Sequence, residues 1–207
     1  MKIVLSGPDG SGKSSIVKAL STGLGDRKPV HVSWRRFGFV LARTFNLIAR
    51  LLGFSYYEQT PIGPLGYHNY KAPWSHIYIG LAWFDCMVFI LPTWWIIERV
   101  KPYDVTIIDR FLFDIVADLV LSTKQTRLVL CLFHPILKSH QARNLCVFLI
   151  CSQDVVEKRR PDIVWDKSYP EKVRIYTLMR RLYSVAGLHT DRMVPDESAR
   201  EVLKLCV

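Results

Sequence analysis

The chain has 207 residues, of which half are hydrophobic, 22% charged and 12% aromatic. That is enough apolar side chain to bury the core of a single domain over 1–207, and too much for a disordered segment or a coiled coil. Twenty-eight Lys and Arg against 18 Asp and Glu leave a formal charge of +10, so the expected partners are anionic: phosphates, nucleic acid or an acidic membrane surface. The five cysteines (Cys86, Cys131, Cys146, Cys151, Cys206) form no C-x-x-C pair, and the six histidines show no paired ligand spacing. Both patterns argue against a disulfide framework or a zinc site and for a reducing, cytoplasmic setting. The apolar run at Ile3–Leu5 is too short for a secretory signal.

Residues 2–6 read as a short buried strand, followed by a glycine turn and a helix over Ser14–Leu24. Pro29–Trp34 is a second strand. Phe39–Phe54 has apolar residues at helical spacing, with Arg43 and Arg50 seven apart on one side; this pattern fits a plain surface helix, a helix lying on a membrane, or the edge of an anionic site. Gly53–Pro73 is rich in Gly, Pro, Tyr and Asn and reads as a long loop. Ile77–Ile97 is apolar and long enough to cross a bilayer, yet it contains Asp85 and Pro92. A carboxylate near the middle of a spanning helix costs roughly 2.5–3.5 kcal/mol, so the run is expected to be a core helix. Asp104–Asp109 and Leu145–Cys151 are further buried strands, Leu188–Val194 a weaker fifth, and a last helix starts near Glu197. Strands alternating with helices predict an α/β, three-layer fold around a five-stranded parallel sheet with helices on both faces.

Gly7-Pro8-Asp9-Gly10-Ser11-Gly12-Lys13-Ser14 matches G-x-x-x-x-G-K-[ST] and lies between a predicted strand and a predicted helix. The expected cofactor is ATP with Mg²⁺. Backbone N–H groups of Gly7 and of Asp9, Gly10, Ser11, Gly12, Lys13, Ser14 and Ser15 would cradle phosphate oxygens, Lys13 would neutralise their charge, and the Ser14 hydroxyl would ligate the metal. Such a loop needs a carboxylate from another buried strand beside the metal, and Ile107-Ile108-Asp109 ends with one, followed at once by Arg110.

These features together resemble the thymidylate kinase family: Asp9 two positions after the loop's first glycine, Asp109-Arg110-Phe111 ending a strand, and Arg159-Arg160 before a short lid near 158–170. The resemblance implies an ATP-dependent phosphotransferase acting on a nucleoside monophosphate. It also implies that Asp9 faces the acceptor sugar, that Asp109 lies near Mg²⁺, and that Arg110 holds the acceptor phosphate. Gly10 stands where some family members carry an Arg, so the transition-state cation is expected from Glu157-Lys158-Arg159-Arg160-Pro161. Lys13, Arg110, Arg159 and Arg160 are the catalytic candidates.

The pattern also departs from the family. Trp34-Arg35-Arg36-Phe37 replaces an Arg-Glu-Pro-like segment, keeping cations but no acid, and Phe84-Asp85-Cys86 stands where an Asp-Arg pair is usual. Asp9, Arg35, Arg36, Asp85, Arg110 and Asp114 are the substrate-binding candidates. Asp114 and Asp118 are four apart and share a face if helical; they read either as solvated acids or as groups holding an acceptor hydroxyl. The partner implied is a small phosphorylated substrate, a nucleotide, rather than nucleic acid, with peripheral membrane contact and a homodimer as further readings. Two alternatives stand beside the nucleotide kinase: a kinase for a sugar or glycan precursor in surface-polysaccharide synthesis, and a non-catalytic nucleotide-binding protein.

Overall fold

A computed structural model of the chain describes residues 1–25, 30–34, 40–61, 63–68, 70–100 and 104–206. In chain order the elements are β1 (Lys2–Ser6), α1 (Lys13–Gly25), β2 (Val30–Trp34), α2 (Leu41–Leu51), β3 (Ser55–Thr60), β4 (Gly63–His68) and α3 (Trp74–Asp85). A π-helical turn over Cys86–Ile90 leads into α4 (Leu91–Val100), β5 (Val105–Asp109), α5 (Leu112–Thr123), α6 (Thr126–Arg143), β6 (Leu145–Ile150) and α7 (Gln153–Arg159). A 3-10 turn over Pro161–Trp165 precedes α8 (Tyr169–Tyr183), β7 (Ala186–His189) and α9 (Pro195–Lys204). The chain divides into two compact units: Met1–Arg36 with Tyr103–Ile115 and Pro135–Val207, and Phe37–Pro102 with Val116–His134.

The first unit holds a five-stranded sheet in the order β2-β5-β1-β6-β7, every pair parallel. Ile3–Leu5 of β1 and the whole of β6 are unbroken apolar runs, and β5 is apolar but for Thr106 and the final Asp109, because both faces are covered, as a parallel sheet requires. Ile3, Leu5, Ile107, Val147 and Leu149 point to the side where Ile16, Val17 and Leu20 of α1 and Val202 of α9 complete the core. On the other side Phe148 meets Phe113 edge-on at 5.0 Å and Tyr176 at 5.7 Å. This is the expected α/β three-layer arrangement. The weak fifth strand forms a little earlier than its sequence suggests, over Ala186–His189, and Pro195 at the first turn starts the last helix.

In the second unit Phe45, Tyr70, Trp74 and Tyr78 form an aromatic core in which Tyr70 and Tyr78 lie 4.8 Å apart. The stretch read as a long loop contains an antiparallel hairpin, β3 with β4. Its prolines and glycines hid the strands, but a two-stranded hairpin has only edge strands, where Pro64 can sit without breaking a ladder. Tyr56 packs across the pair against Tyr67 in a tilted arrangement with ring centroids 5.7 Å apart, and Thr60 Oγ1 donates to Gly63 O at 2.5 Å to close the turn.

The apolar run read as a core helix is helical, but mostly at the surface. The most apolar 18-residue window within Trp74–Ile96 has a mean hydropathy of 1.6, and only 28% of it is buried. Pro92 has no N–H to return to the preceding turn, and just ahead of it Leu91 N–H bonds Cys86 O, five residues back. Asp85 is fully buried and accepts hydrogen bonds from the backbone N–H groups of Val40, Leu41 and Ala42 at 2.9–3.1 Å. Those are orphan donors at the start of α2, so Asp85 caps that helix from a distant segment.

Candidate functional site

β1 is central, and the connections after it leave to opposite sides: β2 and β5 lie on one flank, β6 and β7 on the other. In such sheets the crevice beyond the carboxyl ends of the strands is the natural ligand site. The register Leu5↔Asp109 brings β1 and β5 to that crevice at the same level, and Arg110 N–H extends the ladder to Leu5 O at 3.1 Å. The Gly7–Gly12 loop and the Asp109-Arg110 pair therefore emerge side by side. Gly10 has φ +79°, and a Cβ there would sit 2.6 Å from Val156 Cγ1 and 3.1 Å from Ile163 Cδ1. Only glycine fits beneath this cover, which Val156, Ile163, Cys151 and Tyr169 consolidate as a small core. Ile163 and Tyr169 of this cover lie in the segment read as a lid, and Cys151 and Val156 precede it.

Lys13 is 4% exposed and folds back into the loop, its Nζ donating to Gly7 O at 2.6 Å and Pro8 O at 2.8 Å. Burial, helped by the nearby Arg110 charge, brings its pKa down to about 8. Ser14 Oγ donates to Asp109 Oδ2 at 3.3 Å, while Asp109 Oδ1 is buried with no hydrogen-bond partner among the described residues. Burial raises the Asp109 pKa against the pull of Lys13 and Arg110. A buried carboxylate with one open oxygen beside a serine hydroxyl fits a hard divalent cation. No group of three His, Cys, Asp or Glu suited to a metal occurs among the described residues, so a cation held by Asp109 and Ser14 would complete its shell with water and ligand oxygens.

Asp9 is gripped from both sides. Arg110 Nη2 donates to Oδ1 at 2.5 Å and Lys172 Nζ to Oδ2 at 3.1 Å, with Lys172 also 3.8 Å from Asp166. Burial alone would raise the Asp9 pKa, but Lys172 and Arg110 hold it far below the usual carboxylate range. Arg110 takes φ +66°, a left-handed backbone that costs a non-glycine residue about 1 kcal/mol or more and that concentrates at functional sites.

The two arginines of the lid separate. Arg159 reaches inward, donating to Thr190 O at 2.7 Å, to Thr190 Oγ1 at 3.3 Å and to Cys151 Sγ at 3.5 Å; Thr190 in turn donates to Ser11 O at 3.1 Å. Arg160 forks onto Asp162, with Nε donating to Oδ1 at 2.8 Å and Nη2 to Oδ2, and stays half exposed. A cleft of about 410 Å³ opens among these groups, lined by Asp9, Gly10, Gly12, Lys13, Ser14, Ser15, Arg110, Arg159 and Arg160 and by Met193, Pro195 and Ser198. No protein-family model and no curated protein matches this chain.

The structure thus gathers most of the residues singled out in the sequence, and sets two of the substrate candidates aside. Asp114 is 3% exposed; its Oδ2 accepts from Ser6 Oγ at 2.6 Å and from Phe111 N–H at 3.2 Å, and its Oδ1 from Tyr176 Oη at 2.6 Å. It is a structural acid joining β1, the start of α5 and α8, with its oxygens already committed. Asp85 is likewise committed as the cap of α2. Arg35 and Arg36 lie outside the described residues. Lys172 and Thr190 escaped the sequence reading. Tyr169, Tyr176 and Tyr183 recur every seven residues on α8 and are buried, and Lys172, three after the first and four before the second, puts a cation on that inward face. That spacing was the available signal.

Asp114→Asn would turn a donor either towards Ser6 Oγ and Phe111 N–H or towards the Tyr176 hydroxyl, where an acceptor now stands. It is expected to lower stability by about 1–3 kcal/mol, read as an earlier midpoint in urea unfolding.

Proposed function

We propose that the protein is an ATP- and Mg²⁺-dependent phosphotransferase whose loop Gly7–Ser15 is a phosphate-binding loop and whose acceptor is a nucleoside monophosphate. The observation that carries the reading is the open Oδ1 of Asp109, buried beside Ser14 at the mouth of a glycine loop that already holds an ammonium group. Bound there, Mg²⁺ would supply charge neutralisation between the outer phosphates. Lys13 would leave the carbonyls of Gly7 and Pro8 for phosphate oxygens. Arg159, braced on Thr190 above the loop, is the cation placed for charge developing on the transferring group. Met193, Pro195 and Ser198 give the donor's apolar end a wall.

The acceptor is assigned from charge. Arg110 and Lys172 bracket Asp9 beside the cleft, and an acceptor phosphate, already anionic, needs such cations and no general base. Phosphorylation of a sugar hydroxyl would need a base, and of Asp85, Asp114 and Asp118 the first two are committed to hydrogen bonds that hold the fold, which leaves Asp118 alone for that role. The glycan-precursor kinase is therefore the weaker reading, and a non-catalytic nucleotide-binding protein would have no need of so many convergent cations.

The direct test is an acceptor screen with labelled ATP and Mg²⁺ over nucleoside monophosphates, nucleosides and sugar precursors. Transfer to a monophosphate, lost on adding a chelator and reduced by at least about a thousandfold in Lys13→Ala, is expected. Transfer only to hydroxyl acceptors, or none, would overturn the assignment.

The two lid arginines should differ. Arg159→Ala is expected to lower kcat by about a hundredfold or more while ATP affinity changes little, whereas Arg160→Ala stays within about fivefold of wild type. Steady-state kinetics beside ATP titrations separate the two.

Nucleotide affinity should also depend on pH through Lys13. Below its free-state pKa of about 8 the amine is already charged and affinity is flat. Above it, binding must first protonate Lys13, so the association constant should fall by about tenfold per pH unit. Titrations at pH 7, 8 and 9 would show this slope, and Lys13→Ala should lack it.

A further inference from the structure

The second unit carries an apolar surface that the catalytic reading leaves unused. α2 buries Ala42, Phe45 and Ala49 along one side. Its opposite side is apolar too: Leu47, Ile48 and Leu51 are 56%, 51% and 88% exposed. At 100° per residue Arg43 and Arg50 fall together on one flank of that outer face, and no Asp or Glu occurs between residues 40 and 52. The apolar run that follows repeats the pattern. Ile77, Phe84 and Val88 recur at helical spacing, each 45% exposed, and the run's one acid, Asp85, is fully buried. Scattered exposed apolar residues are ordinary, but two helices with continuous outer faces of this kind mark an interaction surface.

We propose that this face docks on the interface of an anionic lipid bilayer, with α2 in the membrane plane, Leu47, Ile48 and Leu51 among the acyl chains and Arg43 and Arg50 at the headgroup phosphates. The charge pattern selects this occupant. A symmetric contact with a second copy would set the patch against itself and bring like-charged arginines, Arg50 lying over the Tyr57 ring at 5.4 Å, towards their own equivalents. An anionic surface pairs them instead, and the chain's net +10 adds to the attraction. Spanning is disfavoured by Asp85, which is tied to the N–H groups of Val40, Leu41 and Ala42, so a crossing helix would carry both the carboxylate and the start of α2 into hydrocarbon. Lying in the plane keeps that cap inside the protein. This inference is independent of the reaction the first unit performs.

The test is flotation of the full chain with vesicles of phosphatidylcholine alone and of phosphatidylcholine mixed with phosphatidylglycerol. Binding to the mixed vesicles is expected to be about tenfold tighter or more and to weaken as salt rises. L47E/L51E, at exposed positions, should abolish it with circular dichroism and melting unchanged. R43Q/R50Q should weaken the preference for the anionic vesicles while leaving the apolar binding. The proposal is overturned if neither vesicle floats the protein, or if L47E/L51E floats like wild type. It is also overturned if the lipid-free protein is a dimer that L47E/L51E converts to monomer, which would give the face to a second copy, or if the bound protein resists alkaline carbonate extraction, which would make it a spanning segment.

Discussion

When Leu5 pairs with Asp109 across the β1–β5 ladder, two chain segments leave the sheet at one level and in one direction, and the charged groups of the cleft are placed by that register. One strand runs into the glycine loop and Asp9, the other into Asp109 and Arg110. A slip by one residue would turn every side chain of either strand to the opposite face, and would move Ile3, Leu5 and Ile107 out of the layer they share with α1 and α9. Apolar burial on both faces thus fixes the position of groups that contribute little to the core themselves. Each buried aliphatic side chain is worth about 1.5–3 kcal/mol, whereas the charged cluster at the strand ends has to offset its own desolvation.

That cluster solves the desolvation problem by mutual pairing. Asp9 stays ionised because Arg110 and Lys172 each hold one of its oxygens, and Lys172 reaches it from α8, whose tyrosine face is packed against the sheet. Tyr176 on the same helix donates to Asp114, which also accepts from Ser6 at the end of β1. The helix that supplies the second cation is therefore tied to the strand that supplies the loop. The second unit shows the same economy in Asp85, where one buried carboxylate serves three backbone donors of a distant helix.

What the sequence made legible was whatever is contiguous. The glycine loop is one run of eight residues, and β1, β5 and β6 are short stretches dominated by apolar residues, so the sheet and most of the cleft could be read directly. Contacts made across long sequence separations could not. Asp85 looked like an isolated acid in an apolar helix because the donors it caps lie more than forty residues earlier. Asp114 sits at a spacing that defines a helix face but does not say what that face meets, and what it meets is Ser6 and Tyr176. The hairpin after α2 was masked by residues that usually end strands, and the run Ile77–Ile97, expected in the core, lies mostly at the surface because apolar composition does not distinguish a helix facing inwards from one facing out.

The folded-back Lys13 has a kinetic corollary. With its ammonium group resting on Gly7 O and Pro8 O, the loop carries its own counterion, and an arriving anion does not enter a vacancy but exchanges with two carbonyl dipoles for possession of the same cation. Exchange of this kind separates encounter from capture. At rising ligand concentration the observed rate of capture would level off at the rate at which the lysine lets go, a ceiling set by the loop's own backbone rather than by diffusion.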